Sequence, residues 1–304
     1  MILEYRIDER AEEISVRSFL KHQGLSTHLW RRLKHQGALF INEKPILRAT
    51  LATLRAGDCL RCEIPEETAV EPQKIPLDIR FEDDYLLVVN KPAQMLVHPI
   101  AKEQHGTLAN AVAYYYEIKK EPCIFHPTHR LDRNTTGLVL IAKQPHIQSL
   151  LTGQDGPRFH RTYLAIAHGH FDEAQGIIDL PIRRKPTSFI EQETHEEGKN
   201  AVTHWHVLAK ADEFSLVELR PITGRTHQLR VHLAAVGHPI LGDDLYGEAS
   251  PLIARQSLHA YCLDLVHPVD QKTLTVNAPP PEDFISALHR VRLFLPFREK
   301  ELQT

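Results

Sequence analysis

The chain has 304 residues, 42% hydrophobic and 25% charged, with a formal net charge of -3. This is ordinary globular composition, and it excludes a uniformly basic nucleic-acid binder. No apolar run is long enough to span a bilayer, and the charged start from Met1 to Arg10 has no apolar signal core. A cytoplasmic protein without membrane association is therefore expected.

The overall charge hides a segregation. From Ile14 to Cys62 there are nine basic residues, Arg17, Lys21, Arg31, Arg32, Lys34, Lys44, Arg48, Arg55 and Arg61, against the two acids Glu43 and Asp58. That segment carries +7, which leaves about -10 for the rest by full-ionisation counting. Within it, Val16, Phe19 and Leu20, then Leu29, Trp30 and Leu33, are spaced as two short amphipathic helices. Ser26-Thr27 supplies an N-cap for the second. A strand at Ala38 to Asn42, a turn at Glu43-Lys44-Pro45 and a closing strand at Cys59 to Ile64 follow. Cys59 and Cys62 form a CxxC with no second ligand pair and no redox-type βαβ context, so two cysteines in a short strand is the better reading.

Pro65 to Pro76 reads as a linker, with prolines and charges and few apolar residues. The expected organisation is a small domain over 1–64, a linker over 65–76 and a large domain over 77–304.

The larger part is rich in strands. Leu86 to Val89 and Leu138 to Ala142 are short apolar runs bounded by breakers. Tyr163 to His168, Val202 to Leu208 and Phe214 to Leu219 have strand length and pattern. Helices are expected at Leu108 to Tyr116, Pro145 to Leu151 and Thr226 to Val236. The fold class is thus α+β, a mixed and mainly antiparallel sheet with peripheral helices, beside a small mixed N-terminal domain. The chain has 20 histidines, some clustered at His227, His232 and His238, yet no HExxH or paired CxxC accompanies them. No metal is expected.

In His129-Arg130-Leu131-Asp132-Arg133 an acid stands between two arginines, ahead of Asn134-Thr135-Thr136-Gly137 and an apolar strand. An opposite charge within a few ångström lowers an Asp pKa by roughly 1–3 units, so such an Asp suits nucleophilic or base chemistry. On local composition alone, a surface salt-bridge cluster before a strand is the better reading.

The run resembles the signature of the RluA family of RNA pseudouridine synthases, and further blocks extend the likeness. They are Asn90-Lys91-Pro92 with Val97-His98-Pro99, Arg161-Thr162-Tyr163-Leu164-Ala165, and Gly198 to Thr203. Thr223-Gly224-Arg225-Thr226-His227-Gln228-Leu229-Arg230-Val231-His232, Gly237 to Ile240, Gly242 to Gly247 and Leu258 to Tyr261 with His267-Pro268 complete the set. Together they cover nearly all of Leu77 to Pro268 in order, which is far more specific than one motif.

The resemblance implies a uridine-to-pseudouridine isomerase with Asp132 as catalytic aspartate. It implies Tyr163 as the active-site tyrosine stacking on a flipped uracil, and Arg225 as the arginine that pairs with Asp132. Arg130 aligns with a residue that in some relatives fills the gap left by the flipped nucleotide, and Arg133 is expected to contact RNA. Isomerisation needs no redox partner, phosphate donor or metal, so no cofactor is expected. The N-terminal segment resembles an S4 RNA-binding domain, with Arg17, Lys21, Arg31, Arg32 and Lys34 facing RNA. Large-subunit ribosomal RNA is the expected target and transfer RNA the alternative; a monomer is expected. Two rival readings are a non-catalytic, ribosome-associated RNA binder and a carboxylate-dependent hydrolase.

Overall fold

Apolar residues gather separately in two parts of the chain, which divides accordingly into Met1–Ala69 and Val70–Thr304. The computed structural model describes residues 2–8, 12–23, 25, 30, 33–34, 38–46, 48–63, 70–153 and 157–296.

In the first unit, β1 (Ile2–Arg6), β2 (Ile14–Ser15), α1 (Val16–His22), β3 (Leu39–Ile41), β4 (Lys44–Pro45), β5 (Thr53–Leu54) and β6 (Cys59–Glu63) follow in order. β1, β6, β3 and β4 form one antiparallel sheet, and β2 pairs with β5. Ser15 caps α1 by accepting from the Ser18 N–H at 3.1 Å. Val16 and Leu20 of α1 are buried with Trp30, Leu33, Leu39, Leu54 and Leu60, as the helical spacing requires. Arg17 and Lys21 are exposed on α1, and Lys34 is half-buried. Arg31 and Arg32, and the Ser26-Thr27 cap, lie outside the described residues. Cys59 and Cys62 stand three apart on β6, hence on opposite faces, with both thiols free.

The second unit comprises β7 (Asp78–Glu82), β8 (Leu86–Lys91), α2 (Leu108–Lys119), β9 (His126–Pro127), β10 (Thr136–Ala142), α3 (Pro145–Thr152), β11 (Phe159–His168) and β12 (Gln175–Asp179). It continues through β13 (Ile182–Arg184), β14 (Gln192–Thr194), β15 (Val202–Ala211), β16 (Phe214–Pro221), α4 (Gln228–Ala235), β17 (Leu258–Val266), β18 (Thr273–Asn277) and α5 (Glu282–Arg290). The main sheet runs β12-β15-β16-β11-β17-β10-β8-β7, with β18 on β17 and β9 on β10. Among the described strands only β10 and β17 pair in parallel, so the sheet is mixed and mainly antiparallel, as the strand-rich sequence implies.

β10 is buried along its whole length. One face of the sheet packs a core containing Val89, Val139 and Ile141 with Leu108 and Val112 of α2. The other face packs Leu86, Leu138 and Leu140 against Ile147 and Leu151 of α3. A Cβ at Gly137, where φ is +113°, would lie 2.2 Å from the Ala260 carbonyl oxygen. The close approach of β10 to β17 therefore needs a glycine there.

Two expectations shift. Glu71 and Gln73, in the stretch read as linker, are bonded into the second unit: Asn110 Nδ2 donates to the Glu71 carbonyl at 2.9 Å, and the Gln73 N–H to the Asn110 carbonyl at 3.0 Å. The helix expected from Thr226 begins at Gln228, because His227 takes a left-handed backbone with φ 55°. α5 is an addition to the helices expected from the sequence, although Pro281, the early acids Glu282 and Asp283, and buried Phe284, Ala287 and Leu288 mark it.

Candidate active site

Asp132 sits in the connection from β9 to β10, and the alternation of its neighbours aims it. Leu131 is buried in the main core and anchors the turn. Half-buried His129, its imidazole held neutral by desolvation and by the Arg161 charge, accepts the Leu140 N–H at 3.1 Å. Arg130 is exposed on the pocket rim.

The backbone that follows is caged. Lys91, fully buried, donates to the carbonyls of Pro92 (2.8 Å), Met95 (2.8 Å) and Arg133 (3.0 Å). Burial pushes its ammonium down to about 7, against the opposing pull of Asp132. Arg255 makes a double contact with Asp283 of α5 and reaches the Asn134 carbonyl at 3.2 Å. Gln256 donates to the Thr135 hydroxyl at 3.2 Å. His259, neutral because burial takes its pKa down to about 4, donates from Nε2 to the Ala278 carbonyl. Its Nδ1 is then the acceptor for the Thr136 hydroxyl at 2.9 Å. The loop is thus held through the Arg133 and Asn134 carbonyls and the Thr135 and Thr136 hydroxyls, none of which engages the Asp132 carboxylate that lines the cavity.

That cavity is about 320 Å³, at the lower end of small-molecule sites. Asp132, Tyr163, Arg161, Arg225, His227 and Arg230 line it with Phe159 and Leu258. A β-bulge at Thr162/Tyr163 in the β11–β17 ladder turns Tyr163 towards it. The Tyr163 hydroxyl is kept protonated by burial and by the Asp132 charge, with Arg161 pulling the other way.

The arginine that meets Asp132 is Arg230, not Arg225. Arg230 Nη1 lies 3.5 Å from Asp132 Oδ2, and its Nε and Nη2 each make a 2.7 Å bond to buried Asp243. Burial disfavours the Arg230 charge, but the Asp243 bonds override it and keep the guanidinium charged. Arg225 is exposed; it lines the pocket but donates from Nε to the Asn200 carbonyl at 2.8 Å. The reason is its place before the helix: the turn Thr223 to Gln228 is closed by Gln228, whose Oε1 accepts from the Thr223 hydroxyl and the Arg225 N–H. Arg230, within the first turn of α4, points inward instead.

Arg133, although adjacent in sequence, is held away from the Asp132 carboxylate. It forms a double contact with Glu103, so it neither flanks the Asp132 carboxylate nor lines the pocket. The histidines considered as a metal cluster have separate partners. His232 sits between the Thr203 hydroxyl and the Leu180 carbonyl, His238 bonds the His168 carbonyl, and His227 faces Asp132 at 3.8 Å.

Four residues that the sequence alone did not assign to this site belong to it: Arg230, Asp243, His227 and Arg161, the last 9% exposed with Nε lacking a partner among the described residues. Their signal was present, since all lie inside the family-like motifs; for Arg230 what was missing was the phase of α4.

Comparison with known proteins identifies the family. The pattern of the RNA pseudouridylate synthase family matches residues 85–235. The RNA pseudouridine synthase YhcT of Bacillus subtilis is 40% identical over 256 residues, spanning 83% of this chain and 84% of that protein. Ribosomal large subunit pseudouridine synthase D of Escherichia coli K12 is 38% identical over 248 residues, 77% of this chain and 76% of that one. Among solved structures, human RNA pseudouridylate synthase domain containing 1 aligns with TM-score 0.56 and 31% identity, covering 71% and 87% of the two chains. With an aspartate, a tyrosine and an ion-paired arginine around one cavity, and with relatives this similar over most of its length, the chain belongs to the RluA family of RNA pseudouridine synthases.

Proposed function

We propose that Asp132 is the reacting carboxylate, that Tyr163 faces the flipped uracil, and that Arg230 orients and neutralises Asp132. The observation that carries this is the Arg230–Asp132 approach at 3.5 Å on the wall of the Tyr163 cavity. A cation fixed by Asp243 holds the carboxylate in one orientation and favours its ionised form. In the isomerisation the N1–C1′ bond of uridine breaks and a C5–C1′ bond forms. C5 loses a proton and N1 gains one, so no electrons enter or leave. A uridine in a stem reaches this cavity only by flipping, which costs a few kcal/mol of stacking. Arg130 on the rim is placed to take up the vacated space, and exposed Arg225 to meet a phosphate.

The exposed cations Arg17 and Lys21 of the first unit, with half-buried Lys34, support an RNA-binding role for it, of S4 type. A relative named for the ribosomal large subunit supports large-subunit ribosomal RNA as the substrate. No described helix is long and apolar enough to cross a membrane; action in the cytoplasm is part of this proposal. The test is to map pseudouridine in cellular RNA with and without this protein. One or more sites lost from large-subunit RNA is the expected result; losses confined to transfer RNA would overturn the choice of substrate.

A further inference from the structure

Arg230 contacts one oxygen of Asp132, and the other oxygen has its own neighbour. His227 Nε2 lies 3.8 Å from Asp132 Oδ1. On its far side, His227 Nδ1 is 2.8 Å from the Tyr246 hydroxyl, which accepts the Gln192 backbone N–H, also at 2.8 Å. Resting on the assignment of Asp132 as the reacting carboxylate, we propose that Gln192, Tyr246 and His227 form a directional hydrogen-bond chain that fixes the His227 tautomer and presents its Nε2–H to Asp132, making Tyr246 and His227 positioning groups for the reaction.

The direction follows from counting protons. The Gln192 N–H can only donate, so it occupies a lone pair of the Tyr246 oxygen. If His227 also donated from Nδ1, the tyrosine O–H would have no acceptor among the described residues. The bare Nε2 lone pair would then face a carboxylate oxygen. Both faults vanish when Tyr246 donates to Nδ1 and the imidazole proton sits on Nε2.

The protonation states agree. Burial holds the Tyr246 hydroxyl up at about 12, so it keeps its proton. Burial also lowers the His227 pKa, with Asp132 and Asp243 opposing and Arg230 and Arg130 reinforcing, so a neutral ring with one acceptor nitrogen is available.

The surroundings hold the chain in place. Asp243 Oδ1 accepts the Tyr246 N–H at 3.2 Å, and the Arg230 guanidinium lies 5.1 Å from the centre of the Tyr246 ring. His227 adopts φ 55°, a left-handed backbone unusual for a residue with a side chain, at the point where the ring must reach both partners. Gln192 begins β14, pinned to β13 by the Arg183–Glu193 pair at 2.8 Å. The chain therefore ties the orientation of Asp132 to the β13–β14 hairpin. The 3.8 Å gap leaves room to tighten when substrate enters, as catalytic hydrogen bonds do.

The test is the tautomer of His227, read by long-range proton–nitrogen NMR correlations on the full-length protein. The wild type is expected to show the Nε2–H form, and Tyr246→Phe a mixture of both forms. In steady-state assays on substrate RNA, Tyr246→Phe is expected to lower kcat about tenfold with KM little changed, since small misplacements of reacting groups are costly. An Nδ1–H tautomer in the wild type, or a tautomer and kcat unmoved by Tyr246→Phe, would overturn the chain. The wild-type tautomer needs no variant, so a folding defect in Tyr246→Phe leaves the test intact. Full activity of Asp132→Asn would instead show that the assignment of Asp132 is at fault.

Discussion

Replacing Asp243 with Asn keeps the shape of the site and removes the charge that holds Arg230. Asp243 is fully buried and Arg230 is 6% exposed, and the two share a pair of 2.7 Å bonds. An Asn oxygen can accept one of those bonds, but its amide group then confronts the second guanidinium N–H. Breaking a buried ion pair costs about 3–5 kcal/mol. Asp132, 3.5 Å away, partly compensates the stranded cation, which places the expected loss near the lower end, about 3 kcal/mol. For a unit of this size that is a fall in Tm of about 6–12 °C. The swing of Arg230 towards Asp132 also misplaces the carboxylate, so kcat should fall about 10²-fold. Thermal denaturation by circular dichroism and single-turnover kinetics on substrate RNA check the two parts. A Tm equal to that of wild type with unchanged turnover would refute the claim that Asp243 holds the arginine of the site.

Three further outcomes are expected. Lys91→Met removes the donor from three carbonyls, of which the buried Met95 carbonyl is left unsatisfied at about 1–3 kcal/mol, and a net loss of about 1–3 kcal/mol is expected by urea denaturation. Because the Arg133 carbonyl is one of them, the loss of stability should be accompanied by a fall in kcat larger than any change in KM. Glu82, which burial pushes up, is brought from 4.5 down to about 2 by bonds from Lys143, Tyr115 and Lys119. A carboxylate with a depressed folded pKa stabilises fully above its ordinary value and loses that contribution as pH falls through the folded one. Stability followed by denaturation between pH 4.5 and 2 should therefore drop more steeply in wild type than in Glu82→Gln. The double variant Arg17→Ala, Lys21→Ala should weaken RNA binding. It should also flatten the log–log salt dependence by about 0.7–0.9 for each phosphate that is no longer neutralised, measured by filter binding across salt concentrations.

Much of this architecture was legible because it rests on local signals. Leu86 to Val89 and Leu138 to Ala142 are apolar on both faces since both faces of the sheet are covered, and such runs announce central strands. The N-terminal pattern around Val16, Leu20, Trp30 and Leu33 likewise marks a core. The choice between Arg225 and Arg230 was not legible. Gln228 to Leu233 are all buried, so α4 has no polar stripe from which to read its phase. Local charge was also misleading: Arg133 adjoins Asp132 in sequence yet pairs with Glu103, and Asp132 takes its cation from ninety-eight positions away. Long-range partners of this kind are set by the sheet order, which the sequence pattern does not encode.

The most direct measurement is pseudouridine formation in vitro by wild type and Asp132→Asn on the RNA whose modification depends on this protein. Both proteins should bind that RNA with the same affinity. The account predicts stoichiometric conversion by wild type and none by the variant; equal product from both, or strand cleavage in place of isomerisation, would contradict it.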